Sequence, residues 1–174
     1  MQLLLPSRLI QRLQTELKRA RDREIGGLLM GEHVRDEVFR IVDITLQRSG
    51  GDRACFIRQP KDHQKALKKF FARTGNDFTR FNYLGEWHSH PSFVPSPSST
   101  DLATMQSMVV DPSVGANFLV LLIAKRNSLG NFEASATLFT EDSPPRHVTI
   151  LDEPPLSASA DGPLKRFARR IFSF

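Results

Sequence analysis

The chain is organised around Gly85-Glu86-Trp87-His88-Ser89-His90-Pro91, which is followed by Pro97-Ser98-Ser99-Thr100-Asp101. The first segment carries two histidines at the end of a predicted strand, and residues two apart on a strand point to the same face. Ser98 or Ser99 has the chemistry of a helix N-cap, so the second segment predicts a helix near Thr100 with Asp101 in its first turn. The intervening turn can bring this carboxylate back over the two imidazoles.

His88, His90 and Asp101 are therefore predicted metal ligands. Neutral imidazole and carboxylate bind zinc well, and three protein ligands with one open position are typical of catalytic zinc sites. The alternative for a bare His-x-His pair is two surface histidines that flank a serine. The aspartate after ten intervening residues, the helix start beside it and an upstream glutamate favour the metal site over this alternative.

The same residues resemble the JAMM motif of the JAB/MPN metallopeptidases, in which a glutamate precedes His-x-His-x10-Asp and a serine lies three residues before the aspartate. The glutamate segment of that motif, Glu-x-x-Gly-x-Leu-x-Gly, is matched by Glu24, Gly27, Leu29 and Gly31. The resemblance covers about residues 1–150. Glu86-Trp87 before the first histidine is similar to the prokaryotic branch, which includes deconjugating proteases of CBASS-type antiphage systems.

The resemblance implies a role for each of these side chains. His88, His90 and Asp101 would hold Zn²⁺, Glu24 would act as the general base, and the Ser98 hydroxyl would stabilise the oxyanion. A helix cap is the alternative for Ser98, and the two roles do not exclude each other. The alternative for Glu24, taken alone, is a solvated residue at a strand start.

Two further residues near the motif have predicted positions. Glu86 shares strand parity with His88, so we expect it either beside the ligands, where it could hold an imidazole tautomer, or on the surface. Ser89 should point to the opposite face of the strand, and we interpret it as structural.

The resemblance implies hydrolysis of the bond after the C-terminal tail of a ubiquitin-like modifier or conjugated protein, with E1/E2-like operon partners. A second hypothesis is a peptidase that trims a residue from a sulfur-carrier protein. A third is a metal-free MPN scaffold or binding domain, but such members lack the ligands that this chain keeps. The short interval 111–115 leaves no room for the insertion that larger ubiquitin-specific members carry, so selection of a polyubiquitin linkage is not expected.

Composition bounds the remaining possibilities. The 174 residues suit one domain, and the 40% hydrophobic and 25% charged residues are ordinary for a globular protein. The net charge of +5 favours an acidic partner surface, but the chain lacks the basic stripe with aromatics of a nucleic-acid binder. A single cysteine, Cys55, predicts a reducing compartment, and we expect the cytoplasm. No apolar run is long enough to span a membrane.

The predicted fold class is α/β. By resemblance it is JAB/MPN-like (cytidine-deaminase-like), a curved mixed sheet in a single domain, flanked by helices at 6–20 and 61–73 with a short helix at 100–109 beside the metal. Strands are predicted at 2–5 (an edge strand), 24–31, 38–46, 54–58, 81–87, 117–124, 132–139 and 147–151. Residues 1–151 form the predicted metallopeptidase domain, and 152–174 a linker with a basic amphipathic tail.

Overall fold

The computed structural model describes residues 1–48 and 60–154, which form seven strands and three helices. The elements in chain order are β1 (Gln2–Pro6), α1 (Ser7–Ala20), β2 (Gly26–Arg35), β3 (Val38–Ile44), α2 (Pro60–Arg73), β4 (Phe81–Ser89), α3 (Ser99–Val109), β5 (Leu119–Arg126), β6 (Phe132–Thr140) and β7 (Ser143–Glu153).

The seven strands form a closed ring in the order β1-β3-β2-β4-β5-β6-β7. The ring is mixed: β1 runs parallel to both β3 and β7, β4 runs parallel to β5, and the other neighbours are antiparallel. The predicted α/β class with a mixed sheet is confirmed. The prediction that residues 2–5 form an edge strand is wrong, because β1 fills the gap between β3 and β7 and is hydrogen-bonded on both sides.

Strand β5 is the centre of the packing, as the apolar run at 118–124 predicts. Alternate side chains enter two separate hydrophobic clusters. Val120, Leu122 and Ala124 pack in the larger cluster, which includes Trp87 of β4. Leu119, Leu121 and Ile123 face the smaller cluster beneath α3. Because both faces of β5 are buried, β5 is held in place, and its pairing with β4 fixes the position of the two histidines.

Helix α1 covers the larger cluster with one face. Leu9, Leu13 and Leu17 recur at helical spacing and are all buried there. The helix begins immediately after Pro6, and the Ser7 hydroxyl donates a hydrogen bond to the Glu153 carbonyl at 3.0 Å. The end of β7 is thereby tied to the start of α1.

Helix α2 packs against β2 and β4 through aromatic and polar contacts. Phe70 is 1% exposed and meets Phe81 edge-on, with ring centroids 6.3 Å apart. His63 is also buried: its Nδ1 lies 2.6 Å from Thr45 Oγ1, and its Nε2 lies 3.1 Å from Gln47 Oε1. The Thr45 hydroxyl oxygen already accepts from the Leu28 amide, so its proton is available to His63. His63 therefore belongs to the core.

Several element boundaries differ from the predicted ones. β2 begins at Gly26, so Glu24 lies two residues before it rather than within it, and β3 ends at Ile44 instead of residue 46. β7 continues to Glu153, whose carboxylate receives two hydrogen bonds from Arg40 Nε, at 2.9 and 2.8 Å. This ion pair holds residues beyond the predicted domain end at 151. The division into domain and tail stays a prediction.

Some predictions lie outside the described residues. These are the strand at 54–58, the environment of Cys55, most of the 152–163 linker and the basic tail. Within residues 1–48 and 60–154, no helix combines the length and apolar character that a bilayer crossing requires.

Candidate metal centre

The two histidines are placed by the pairing of β4 with β2 and β5. Gly26 of β2 lies opposite His88, and His88 is in register with Ile123 on the other side. Beyond the strand end, the His90 amide donates to the Ala124 carbonyl at 3.1 Å, which extends the pairing with β5. His88 is 7% exposed and His90 is 6% exposed. Both rings are therefore held on one face of a strand that is hydrogen-bonded on both sides.

Asp101 reaches the histidines from the first turn of α3. Ser98 is the N-cap of this helix, and its hydroxyl oxygen accepts a hydrogen bond from the Asp101 amide at 3.1 Å. In return, the Asp101 carboxylate accepts from the Ser98 amide at 2.8 Å and from the Ser98 hydroxyl at 2.7 Å. This capping box fixes the carboxylate as well as the helix start. The predicted N-cap and the position of Asp101 in the first turn are confirmed.

The three predicted ligands converge on one point. His88 Nε2 lies 3.2 Å from His90 Nε2 and 3.5 Å from Asp101 Oδ1. His90 Nε2 lies 3.8 Å from Asp101 Oδ2. One ligand atom from each residue falls within 4.8 Å of the others. Ligands bound tetrahedrally at about 2.0–2.1 Å from zinc are separated by about 3.3 Å, so the spacing of these three atoms fits that ion.

The protonation chemistry of the cluster also fits a cation. Two Nε2 atoms that face each other at 3.2 Å cannot both carry a proton in that direction. His90 Nδ1 lies 3.2 Å from the Val94 carbonyl, which can only accept, so the ring proton belongs on Nδ1 and the Nε2 lone pair faces the cluster. Lys125 Nζ donates to the Phe93 carbonyl at 2.8 Å and holds the same loop.

The acid–base properties of His90 and Asp101 favour their metal-binding forms. Burial lowers the pKa of His90, and the neighbouring charges of His88 and Lys125 lower it further, against the opposing effects of Val94 and Asp101. Burial raises the pKa of Asp101, but hydrogen bonds from His88 and Ser98 outweigh it, so this pKa lies well below its usual range. At neutral pH the site therefore offers a neutral imidazole at His90 and a carboxylate at Asp101.

Glu24 lies two residues before β2, next in sequence to the residue that binds Ser89. Gly26 pairs with His88, and the Ser89 amide donates to the Ile25 carbonyl, so the segment that carries Glu24 runs alongside the histidine strand. Glu24 is 4% exposed, and within the described part of the chain it is not a member of the three-ligand group. This position suits a carboxylate that acts beside the metal rather than on it.

The contacts of Ser98 and Glu86 do not test the roles predicted for them. The Ser98 hydroxyl is engaged with Asp101 in the capping box, which is the predicted alternative to oxyanion binding. Glu86 is half-buried, and the Tyr83 hydroxyl lies 3.5 Å from its Oε1. The catalytic role of Ser98 and the supporting role of Glu86 stay predictions.

Comparison with known proteins identifies the family that carries this site. Residues 6–138, more than half of the chain, match the family model of prokaryotic homologs of the JAB domain. The chain belongs to this prokaryotic JAB family. The predicted JAB/MPN-like fold is thereby confirmed.

Two curated relatives of this JAB chain are named CD-NTase/cGAS isopeptidase. The protein from Vibrio cholerae is 31% identical over 106 residues, which cover 60% of this chain and 64% of the relative. The protein from Enterobacter hormaechei is 27% identical over 139 residues, which cover 78% of this chain and 74% of the relative. The chain thus spans slightly less than two thirds of the first relative.

A solved structure supports the same fold. The solution structure of protein DSY2949 from Desulfitobacterium hafniense superposes with a TM-score of 0.64 at 19% identity, covering 89% of this chain and 95% of that one. At this identity the likeness concerns the fold alone.

Sequence reasoning missed two contributors to the JAB site. One is the Val94 carbonyl, which orients His90. A backbone acceptor carries no residue signal, although the prolines of the 91–98 loop indicate a stiff segment. The other is Ser89, whose interpretation as structural did not foresee its contact with Ile25.

Proposed function

We propose that this JAB protein is a zinc-dependent isopeptidase that hydrolyses the amide bond after the C-terminal tail of a ubiquitin-like modifier or conjugated protein. The observation that carries the proposal is the convergence of His88, His90 and Asp101, with separations of 3.2, 3.5 and 3.8 Å. Three ligands leave a fourth zinc position open, and an open position distinguishes catalytic from structural zinc sites.

Bound zinc would polarise the scissile carbonyl and lower the pKa of a coordinated water to about 7. Glu24 is the chain's own contribution to proton transfer: as a general base it takes a proton from the attacking water and later donates it to the leaving nitrogen. Its low exposure supports this assignment, because a buried carboxylate exchanges protons with a nearby reactant rather than with bulk solvent. No covalent enzyme intermediate is required.

Ser98 contributes to the reaction in two ways under this proposal. Its hydroxyl holds the Asp101 carboxylate in the ligand position at 2.7 Å. A ligand-holding hydrogen bond of this kind typically affects metal affinity about 10–100-fold. If the hydroxyl turns towards the substrate, it also donates to the oxyanion.

The names of two relatives support a substrate class for this proposal. Two are named for isopeptidase action on CD-NTase/cGAS proteins. We therefore propose that this chain removes conjugates attached through a CD-NTase-like or ubiquitin-like C-terminal tail, in the cytoplasm of a cell that makes them with E1/E2-like enzymes. An antiphage role is part of this proposal.

The proposal is tested with two fusion substrates and matched variants. Green fluorescent protein is fused behind the C-terminus of a CD-NTase in one substrate and behind a ubiquitin-like protein in the other, and cleavage is followed on gels and by mass spectrometry. Zinc-loaded wild type should cleave at the tail junction. Glu24→Gln should keep stoichiometric zinc and lose turnover by more than about a hundredfold, which is within the range for general-base catalysis.

The control variant is Glu141→Gln, which alters an exposed carboxylate in the β6–β7 turn and should leave cleavage unchanged. Full activity of Glu24→Gln would remove Glu24 from the proposed mechanism. Purified wild type that holds no zinc under zinc-replete conditions would favour a scaffold function instead.

A further inference from the structure

Ser89 lies between the two histidines in sequence, but its hydroxyl contacts the segment that carries Glu24. The Ser89 hydroxyl oxygen accepts a hydrogen bond from the Ile25 amide at 3.0 Å. The Ser89 amide donates to the Ile25 carbonyl at 2.8 Å. The residue after Glu24 is therefore bound in both directions to the strand end that presents His88 and His90.

The hydroxyl takes a place that a backbone carbonyl fills in a regular ladder. In an antiparallel pair of this kind the two residues exchange both hydrogen bonds through their backbones. Here one acceptor is a side chain, so the identity of residue 89 decides whether the bond exists. Ser89 and Ile25 are each 1% exposed, so water cannot replace the lost acceptor. Removing the hydroxyl would leave the Ile25 N–H buried and unsatisfied.

The other side of this segment is held independently. Gly26 exchanges backbone hydrogen bonds with Gln47, at 3.3 Å from the Gly26 amide and 2.7 Å to the Gly26 carbonyl. Without the Ser89 hydroxyl the segment would stay attached to residue 47. It would lose one of the two hydrogen bonds that join Ile25 to Ser89 and set the distance of this segment from the histidine strand.

We propose that Ser89 is a positioning residue for the reaction, because it fixes the backbone of Glu24 relative to the metal ligands. The inference rests on the proposed function, in which Glu24 transfers a proton. Proton transfer requires heavy atoms within about 2.6–3.2 Å, and a misplacement of about 1 Å can cost about a hundredfold in rate. His88 and His90 are also held by hydrogen bonds to β5, and Asp101 lies in α3, so we expect zinc binding to be retained without this contact.

The test compares three variants of the zinc-loaded full chain. Ser89→Ala removes the hydroxyl, and Ser89→Thr keeps it. Ser135→Ala is the matched control, because the Ser135 hydroxyl oxygen of β6 is also buried but has no hydrogen-bond partner within the described residues. The measurements are zinc affinity, thermal unfolding, exchange of the Ile25 amide by NMR, and kcat and KM on the CD-NTase fusion described above.

We expect Ser89→Ala to bind zinc within about threefold of wild type, to exchange the Ile25 amide faster, and to lose about 10–100-fold in kcat with KM nearly unchanged. Ser89→Thr should recover kcat to within a few-fold, and Ser135→Ala should match wild type. Recovery by threonine separates loss of the contact from general destabilisation.

Each contrary outcome has a distinct meaning. A Ser89→Ala protein with wild-type kcat, or one whose loss is shared by Ser135→Ala, would overturn the positioning role while the proposed function stands. A folded Ser89→Thr protein as slow as Ser89→Ala would also overturn it. A wild-type protein that cleaves neither fusion would overturn the proposed function and, with it, this role of Ser89.

Discussion

Ser98 and Asp101 bind each other through both backbone and side chain: the Ser98 hydroxyl accepts from the Asp101 amide at 3.1 Å and donates to the Asp101 carboxylate at 2.7 Å. One pair of residues thereby starts helix α3 and positions the carboxylate of a proposed metal ligand. The folding signal and the binding signal coincide in this motif, and substitutions can separate them.

Asp101→Asn separates charge from capping. The asparagine oxygen can still accept from the Ser98 amide, so α3 should form and circular dichroism should be unchanged. The lost negative charge should weaken zinc binding by more than the roughly 10–100-fold typical of residues that only support a ligand. Competition with a chelator measures the affinity. Zinc affinity equal to that of wild type would show that Asp101 is not a ligand.

Ser98→Ala should destabilise the protein by about 1 kcal/mol, because the helix loses its N-cap. Loss of the hydroxyl also removes one of the hydrogen bonds that lower the pKa of Asp101. Urea unfolding of the zinc-free protein measures the first effect. Ser98→Thr is the control, since threonine retains the capping oxygen and should keep most of the stability. An alanine variant as stable as wild type would contradict the capping contribution.

Gly27→Ala should destabilise the fold by about 1–3 kcal/mol through overpacking. A methyl group at this position would lie 2.7 Å from the carbonyl carbon and from Oγ1 of Thr45, well inside ordinary contact distance. The Thr45 carbonyl accepts from Trp87 Nε1 at 3.0 Å, so a displaced Thr45 would disturb that bond too. Urea unfolding measures the loss.

Gly75→Ala is the comparison for this substitution. Its new methyl group would meet nothing within 4 Å, but the backbone has φ +69°. The expected cost is about 1 kcal/mol of left-handed strain. If Gly27→Ala were the more stable of the two variants, crowding against Thr45 could not be the reason for glycine at 27.

Acid should destabilise the protein partly through Glu32. Burial raises the pKa of Glu32, but hydrogen bonds from Arg80 and Arg40, each as short as 2.6 Å, outweigh it and lower the pKa below the ordinary range of a glutamate. The unfolded state therefore binds the proton more tightly. This contribution to stability is complete above about pH 4.5 and is lost as pH falls through the folded pKa.

The measurement is urea unfolding of wild type and Glu32→Gln between pH 7 and pH 3, with a chelator present so that zinc loss does not contribute. Wild type should be the more stable protein at pH 7, and the difference should shrink towards pH 3. Glu141→Gln, outside this ion network, should follow the wild-type curve. A difference that grows on acidification would contradict the sign of the shift.

Much of the geometry of the candidate metal centre was predictable because its signals are local. The His-x-His spacing on a strand and the Ser-x-x-Asp start of a helix each depend on a few neighbouring residues, and both are confirmed by the structure. The apolar run that became β5 also identified the central strand. Convergence of Asp101 on the histidines required only a short loop, so few alternatives were open.

The remaining features depend on contacts between distant segments. β1 was predicted to be an edge because five residues do not show how many neighbours they have, yet pairing with β7 across the chain makes it interior. Strand parity placed Ser89 away from the ligands but could not show that its hydroxyl replaces a carbonyl of the ladder. The sequence predicted Glu24 within β2, but the regular pairing of β2 with β4 begins at Gly26, and the Ile25 amide donates to the Ser89 hydroxyl instead.

Closure of the strand ring through β1 has a consequence for self-association. Every described strand has a partner on each side. The described sheet therefore has no exposed edge strand on which a second molecule could form an intermolecular sheet. Fibril-like stacking of copies through these strands would first require β1 to leave its place between β3 and β7.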